Sequence, residues 1–158
     1  MAEAKQFKPL KEFGAIEQAE SSKIRFYVDE FKGHPYASIR TFVENDAYSG
    51  PTKSGVTLNF DILGKVIDVL EKLPTEPGTT EDKELARFPK RAGLDLAVRI
   101  TIYRDTTGID FREWVDDASY KGWSKKGVRV AYAQLGAAIE LLKAMHLFLK
   151  ERRTQPKS

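Results

Sequence analysis

Cysteine is absent from the 158 residues, which excludes disulfides and thiolate metal sites. Histidine is nearly absent: His34 and His146 lie far apart and make no metal-ligand spacing. The chain has no GxGxxG, Walker loop or nucleophile elbow, and its acidic residues are scattered. These gaps argue against an enzyme and predict no cofactor and no metal. No apolar run approaches the ~20 residues that span a bilayer, so no membrane partner is expected. The opening MAEAKQFKPLKEF is too charged for the apolar core of a signal peptide. A cytoplasmic or nucleoid location is expected, nuclear if the source is eukaryotic. Charge of one sign is also modest, at +3 with a pI near 9.0, which permits a polyanionic partner without demanding one.

What the chain does have is an internal repeat. Residues 39–70 laid over 111–142 at an offset of 72 give eleven identical pairs, among them Arg40/Arg112, Tyr48/Tyr120, Gly50/Gly122, Lys53/Lys125, Gly55/Gly127 and Gly64/Gly136. Phe42/Trp114 and Phe60/Tyr132 are chemically similar. Upstream, an offset of 74 pairs Ile24, Phe26 and Val28 with Val98, Ile100 and Ile102, which predicts that the second copy lacks two residues of its first turn. A repeat at this spacing marks two copies of one supersecondary unit.

Each copy reads as β-β-β-β-α. KIRFYVDEF and YASIRTFVE alternate apolar and polar residues, as half-buried strands do. A short third strand lies in NDAYSGPTKSG and a fourth in GVTLN. Asn59 or Asp61 caps a helix whose stripe is Ile62, Leu63, Val66, Ile67, Leu70 and Leu73. The second copy repeats the order and ends in a longer helix, from about Ala133 to Arg153. The predicted organisation is a flexible leader 1–22, a first unit 23–73, a linker 74–94, a second unit 95–153 and a tail 154–158. The fold class is α+β, two tandem units each with a curved antiparallel sheet and a C-terminal helix. One helix on one sheet gives a thin core, so the units are expected to pack as an intramolecular pseudo-dimer. Gly136, Ala137 and Ala138 would let the helices approach closely.

Alternation also assigns the outward face. Arg25, Tyr27, Phe31, Tyr36, Arg40 and Phe42 share it in the first copy, and Arg99, Tyr103, Arg112 and Trp114 in the second. Interleaved arginine and aromatic residues suit a single-stranded nucleic acid, because bases stack on rings and cations meet phosphates. Lys53, Lys125 and Lys126 stand beside glycines where a backbone approaches closely, and Tyr48, Tyr120 and Trp123 offer further stacking or rigidify the third strand. Coverage of these rings by the leader, the linker or another subunit is the competing reading.

VDEFKG, SIRTFVE and PTKSGVTLN, followed by an amphipathic helix, resemble the positive cofactor 4 family of transcriptional coactivators; DFREWV and KKGVRV carry the resemblance into the second copy. The PUR repeat of the Pur-alpha family is a near alternative, and the Whirly proteins a more distant one. The resemblance implies single-stranded DNA binding by two fused units that other members assemble as homodimers. It implies that Phe31 and Lys32 match the family's Phe-Lys-Gly turn, Arg40 and Arg112 its strand arginine, and Lys53, Lys125 and Lys126 its basic pair. Phe42 and Trp114 align with the family's tyrosine, Val43 and Val115 with its tryptophan, and the second copy lacks the Phe-Lys-Gly turn. The expected role is thus binding of single-stranded DNA in transcription, replication or repair. RNA binding and a module that docks a transcription or replication protein are the alternatives. The chain is expected to be a monomer with an internal pseudo-dimer, or a further homodimer.

Overall fold

The computed structural model describes residues 8–78 and 81–154. The first seven residues of the expected leader and the tail beyond 154 lie outside the described residues. The first sheet has the order β1 (Lys11–Ala19), β2 (Ser22–Phe31), β3 (His34–Glu44) and β4 (Ser49–Leu58), every neighbour antiparallel. Helix α1 (Phe60–Glu71) follows. The second sheet repeats this with β5 (Lys83–Arg91), β6 (Leu94–Tyr103), β7 (Thr106–Asp116) and β8 (Lys121–Ala131), followed by α2 (Leu135–Thr154). The two β4α units of the sequence reading are present, but their strands are distributed differently. The expected third and fourth strands are one strand, β4 in the first copy and β8 in the second. The missing strand of each sheet comes from the stretches read as leader and linker. Both are edge strands, and an edge strand needs only one apolar face. In β1 only Ile16 is buried, and β5 carries Pro89, which a sheet edge tolerates.

The offset of 72 holds along the whole unit. Lys11 faces Val28 and Lys83 faces Ile100; Arg25 faces Arg40 and Ala97 faces Arg112. The expected loss of two residues from the first turn of the second copy is therefore wrong. Both hairpins have two-residue turns, Lys32-Gly33 and Arg104-Asp105, with positive φ at all four residues. The error has a simple cause. Side chains alternate with period two, so a slip of two residues leaves every apolar side chain on its proper face.

Asn59 caps α1, its Oδ1 accepting the Ile62 N–H at 2.8 Å. At the equivalent position Ala131 has no side chain to offer, and the chain makes a 3-10 turn, Tyr132–Gln134, before α2 begins. The two units share one core: Phe26, Ile39, Leu63 and Leu70 belong to the same buried cluster as Phe111, Val130, Leu142 and Met145. Helix α2 contacts β1, β2 and β3 of the first sheet as well as β8 of its own, α1 reaches β5, and β4 contacts β8. The Phe13 and Phe148 rings meet edge to face at 5.6 Å, and the Tyr132 hydroxyl donates to the Pro74 carbonyl. This is the pseudo-dimer the thin single-unit core requires.

Close approach of the helices occurs elsewhere than expected. A Cβ on Gly136 would meet nothing within 4 Å, whereas one on Gly64 would lie 3.0 Å from His146 Nε2. His146 stacks flat on Phe60, at 4.3 Å between centroids and 6° between planes. Burial lowers the imidazole pKa below its ordinary value, nearby Lys150 lowers it further, and Asp68 opposes them.

Candidate nucleic-acid interface

The repeated Lys-x-Gly step forms a bulge in the edge strand of each sheet. Arg40 pairs with Gly55 and Phe42 with Pro51, so Thr52, Lys53 and Ser54 all lie opposite Thr41. In the second sheet Arg112 pairs with Gly127 and Trp114 with Trp123, which leaves Ser124, Lys125 and Lys126 opposite Glu113. A bulge pushes its extra residues out of the ladder and re-aims their side chains. Lys53, Lys125 and Lys126 are accordingly exposed. The glycine has a separate role. A Cβ at Gly55 would stand 2.8 Å from Arg40 Cζ, and one at Gly127 2.6 Å from Arg112 Cζ. Each guanidinium therefore lies across the bare glycine and donates to the bulge carbonyl beyond it, Thr52 O at 2.8 Å and Ser124 O at 3.0 Å.

The preceding turn is built the same way twice. Asn45 Oδ1 accepts the N–H groups of Ala47 and Tyr48; Asp117 Oδ1 accepts those of Ser119 and Tyr120. Those hydrogen bonds hold the Asp117 carboxyl pKa below the usual range. The Tyr48 hydroxyl donates to Pro51 O and the Tyr120 hydroxyl to Trp123 O. Both tyrosine rings are exposed, but both hydroxyls brace the strand.

The outward face of the first sheet carries a groove of about 590 Å³ lined by Lys8, Tyr27, Asp29, Tyr36, Ser38, Arg40, Pro51, Thr52, Lys53 and Thr57. It brings together four of the residues singled out from sequence: Tyr27, Tyr36, Arg40 and Lys53. Among the described residues no carboxylate pairs with Arg40. Burial raises the Tyr36 pKa, with Asp29 and Tyr27 acting in the same direction and Arg40 against it. Phe42 lies outside the groove lining. It is only 6 % exposed and Tyr27 5 %, because the two rings pack edge to face and the Arg25 guanidinium lies 5.0 Å over Phe42. The expectation of freely exposed rings at these two positions does not hold. Arg25 itself pairs with Glu12 of β1.

The second sheet's outward face is filled by its own side chains. Trp114 and Trp123 meet edge to face at 4.8 Å. Arg87 lies over both rings and Arg99 stands 4.1 Å over Trp123. Asp110, 2 % exposed, accepts from Arg99 at 2.7 Å and from Arg112 at 3.2 and 3.3 Å. Arg129 donates to Thr101 Oγ1, Thr101 O and Thr106 O. Phe31 and Tyr103 stand apart from both faces, at the two hairpin tips, 65 % and 61 % exposed. Lys32 lies 5.4 Å over the Phe31 ring, and Arg104 lies 5.2 Å over the Tyr103 ring.

Sequence reasoning missed Arg87, Asp110 and Arg129. Arg87 lies in β5, within the stretch 74–94 expected to be a linker. Asp110 sits two residues before Arg112, and alternation alone places both on one face. Among the described residues no cluster of three His, Asp or Glu could hold a metal ion, and no helix is long and apolar enough to cross a membrane.

Residues 19–69 match the sequence pattern of the family described as Transcriptional Coactivator p15 (PC4). That span runs from the end of β1 into α1, so the resemblance read from the motifs is carried by the first unit, and the second repeats its fold. Among solved structures, WHY3 from Arabidopsis thaliana is similar over 90 % of this chain and 89 % of its own, at 6 % identity and a TM-score of 0.44. The plant transcriptional regulator PBF-2 is similar over 96 % of this chain and 92 % of its own, at 8 % identity and a TM-score of 0.45. No curated protein sequence matches the chain significantly.

Proposed function

We propose, from the match of the first unit to a transcriptional coactivator family, that the chain binds single-stranded DNA in transcription and catalyses no reaction. The observation that carries this reading is the groove on the first sheet, where the half-buried Tyr36 lies beside Arg40 and Lys53. Rings stack on any base face, while guanidinium and ammonium groups neutralise the phosphates on either side. A duplex keeps those base faces covered. The two bulges add Lys53, Lys125 and Lys126 on exposed, re-aimed backbone, which suits phosphate contact. The remaining candidates contribute around these centres: Arg25, Phe42, Tyr48, Arg99, Arg112, Trp114, Tyr120 and Trp123 shape the two faces, and Phe31, Lys32 and Tyr103 the hairpin tips. A location with access to DNA, nucleoid or nucleus, follows from the same reading.

The exposed hairpin tips favour a second reading, in which Phe31 and Tyr103 dock a transcription or replication protein. Competition separates the two. A labelled single strand bound to the chain is challenged with unlabelled single-stranded DNA, RNA of the same sequence, and duplex. Single-stranded DNA is expected to displace it best. Equal displacement by RNA would move the reading to RNA, and absence of binding would leave protein docking.

A further inference from the structure

Nine of the ten groove residues, 27, 29, 36, 38, 40, 51, 52, 53 and 57, have counterparts in the second sheet at the constant offset of 72. Among the described residues the counterparts fill the face differently. Where the first sheet has Ser38 the second has Asp110, which draws Arg99 and Arg112 together. Where the first has Tyr27 the second has Arg99, stacked over Trp123, itself the counterpart of Pro51. Gly108 replaces Tyr36 and Arg129 replaces Thr57; a Cβ at Gly108 would stand 2.7 Å from Arg129 Cζ, so the arginine occupies the place of the missing ring. Guanidinium groups thus stand over the second sheet's half-buried tryptophan rings and in the place of the first sheet's Tyr36 ring.

We infer that the two sheets are not equivalent binding faces: the first sheet's groove accepts an unpaired base, and the second sheet's face accepts none. This rests on the single-strand reading above. A volume of about 590 Å³ is of the size of small-molecule clefts, ~300–1,000 Å³. Its cations at Lys8, Arg40 and Lys53 stand where the flanking phosphates would lie. On the second sheet Asp110 pairs with two of the arginines, and the exposed bulge lysines Lys125 and Lys126 are left to meet the backbone of a passing strand.

Both tryptophans of the chain belong to the second face, which gives a direct readout. The full chain is titrated with an oligothymidylate of about six nucleotides, within the range of short single-strand sites, while stoichiometry is read by calorimetry and tryptophan emission is followed. The wild type is expected to take one strand per chain without loss of tryptophan emission. The variant Asp110→Ser with Arg129→Thr installs the first sheet's residues and is expected to take a second strand, with quenching. Two equivalent strands on the wild type, or strong quenching of its emission, would overturn the division. So would a variant of native circular dichroism that still takes one strand and shows no quenching. Should the variant not fold, wild-type stoichiometry and emission decide between the outcomes. No binding by the wild type would overturn the single-strand reading itself, and this inference with it.

Discussion

Asp110→Ala tests how far the second sheet depends on its buried carboxylate. The side chain is 3 % exposed and accepts one short bond from Arg99 and two longer ones from Arg112. Hydrogen bonds to charged groups contribute about 1.5–3 kcal/mol each when well formed. The short bond belongs in that range and the longer pair at its lower end. Two effects reduce the sum. Burying the carboxylate costs desolvation that the alanine avoids, and the arginine side chains, 21 % and 26 % exposed, can turn back toward water. A net loss of about 2–3 kcal/mol follows. Urea unfolding followed by tryptophan emission suits the question, because Trp114 and Trp123 sit on the network. With a slope of roughly 1–3 kcal/mol per molar urea, the midpoint should fall by about 1 M. A loss of about 0.5 kcal/mol or less is what an exposed ion pair contributes. That result would refute the claim that Asp110 organises this face.

Met145→Ala, at a fully buried position of α2 in the shared core, should cost about 2–5 kcal/mol and lower the melting temperature in one cooperative transition. Separate melting of the two units would contradict a common core. The His146 imidazole has a lowered pKa in the fold, so the unfolded chain binds more protons between the two values and stability rises with pH there. Its contribution is complete above the ordinary histidine value, about 6.5, and fades as pH falls through the folded value. His146→Gln should flatten the stability profile in that acidic window, and an unchanged slope would show that the stacked ring does not titrate with folding. Asn59→Ala removes the side-chain cap of α1 and should cost about 1 kcal/mol by urea unfolding; no measurable change would mean that the 2.8 Å bond adds nothing. Arg40→Ala should reduce the slope of log affinity against log salt for a single strand by about 0.7, the share of one phosphate. An unaltered slope would place Arg40 away from the backbone.

The repeat and the four central strands were legible because their signal is redundant: buried Ile24, Phe26, Ile39 and their counterparts alternate with polar residues at fixed spacing. The edge strands β1 and β5 were not, since β1 buries one residue and β5 contains a proline, so neither stands out from a polar connector. The two-residue slip between copies was invisible to alternation and became visible only through cross-strand pairing. At the site, the sequence identified which side chains face outward but not which of them cover one another. Phe42 under Arg25, and Trp123 under Arg99, are consequences of cross-strand neighbours that only the register supplies. The bulges account for the Lys-x-Gly repeat, because they turn each lysine outward and the glycine clears the arginine's path.

The central claim is most directly tested by fluorescence anisotropy of a labelled single strand of ~20 nucleotides and its matching duplex, each at two salt concentrations. Tight binding that prefers the single strand and weakens steeply with salt is the predicted result. Equal affinity for strand and duplex, or binding indifferent to salt, would contradict it.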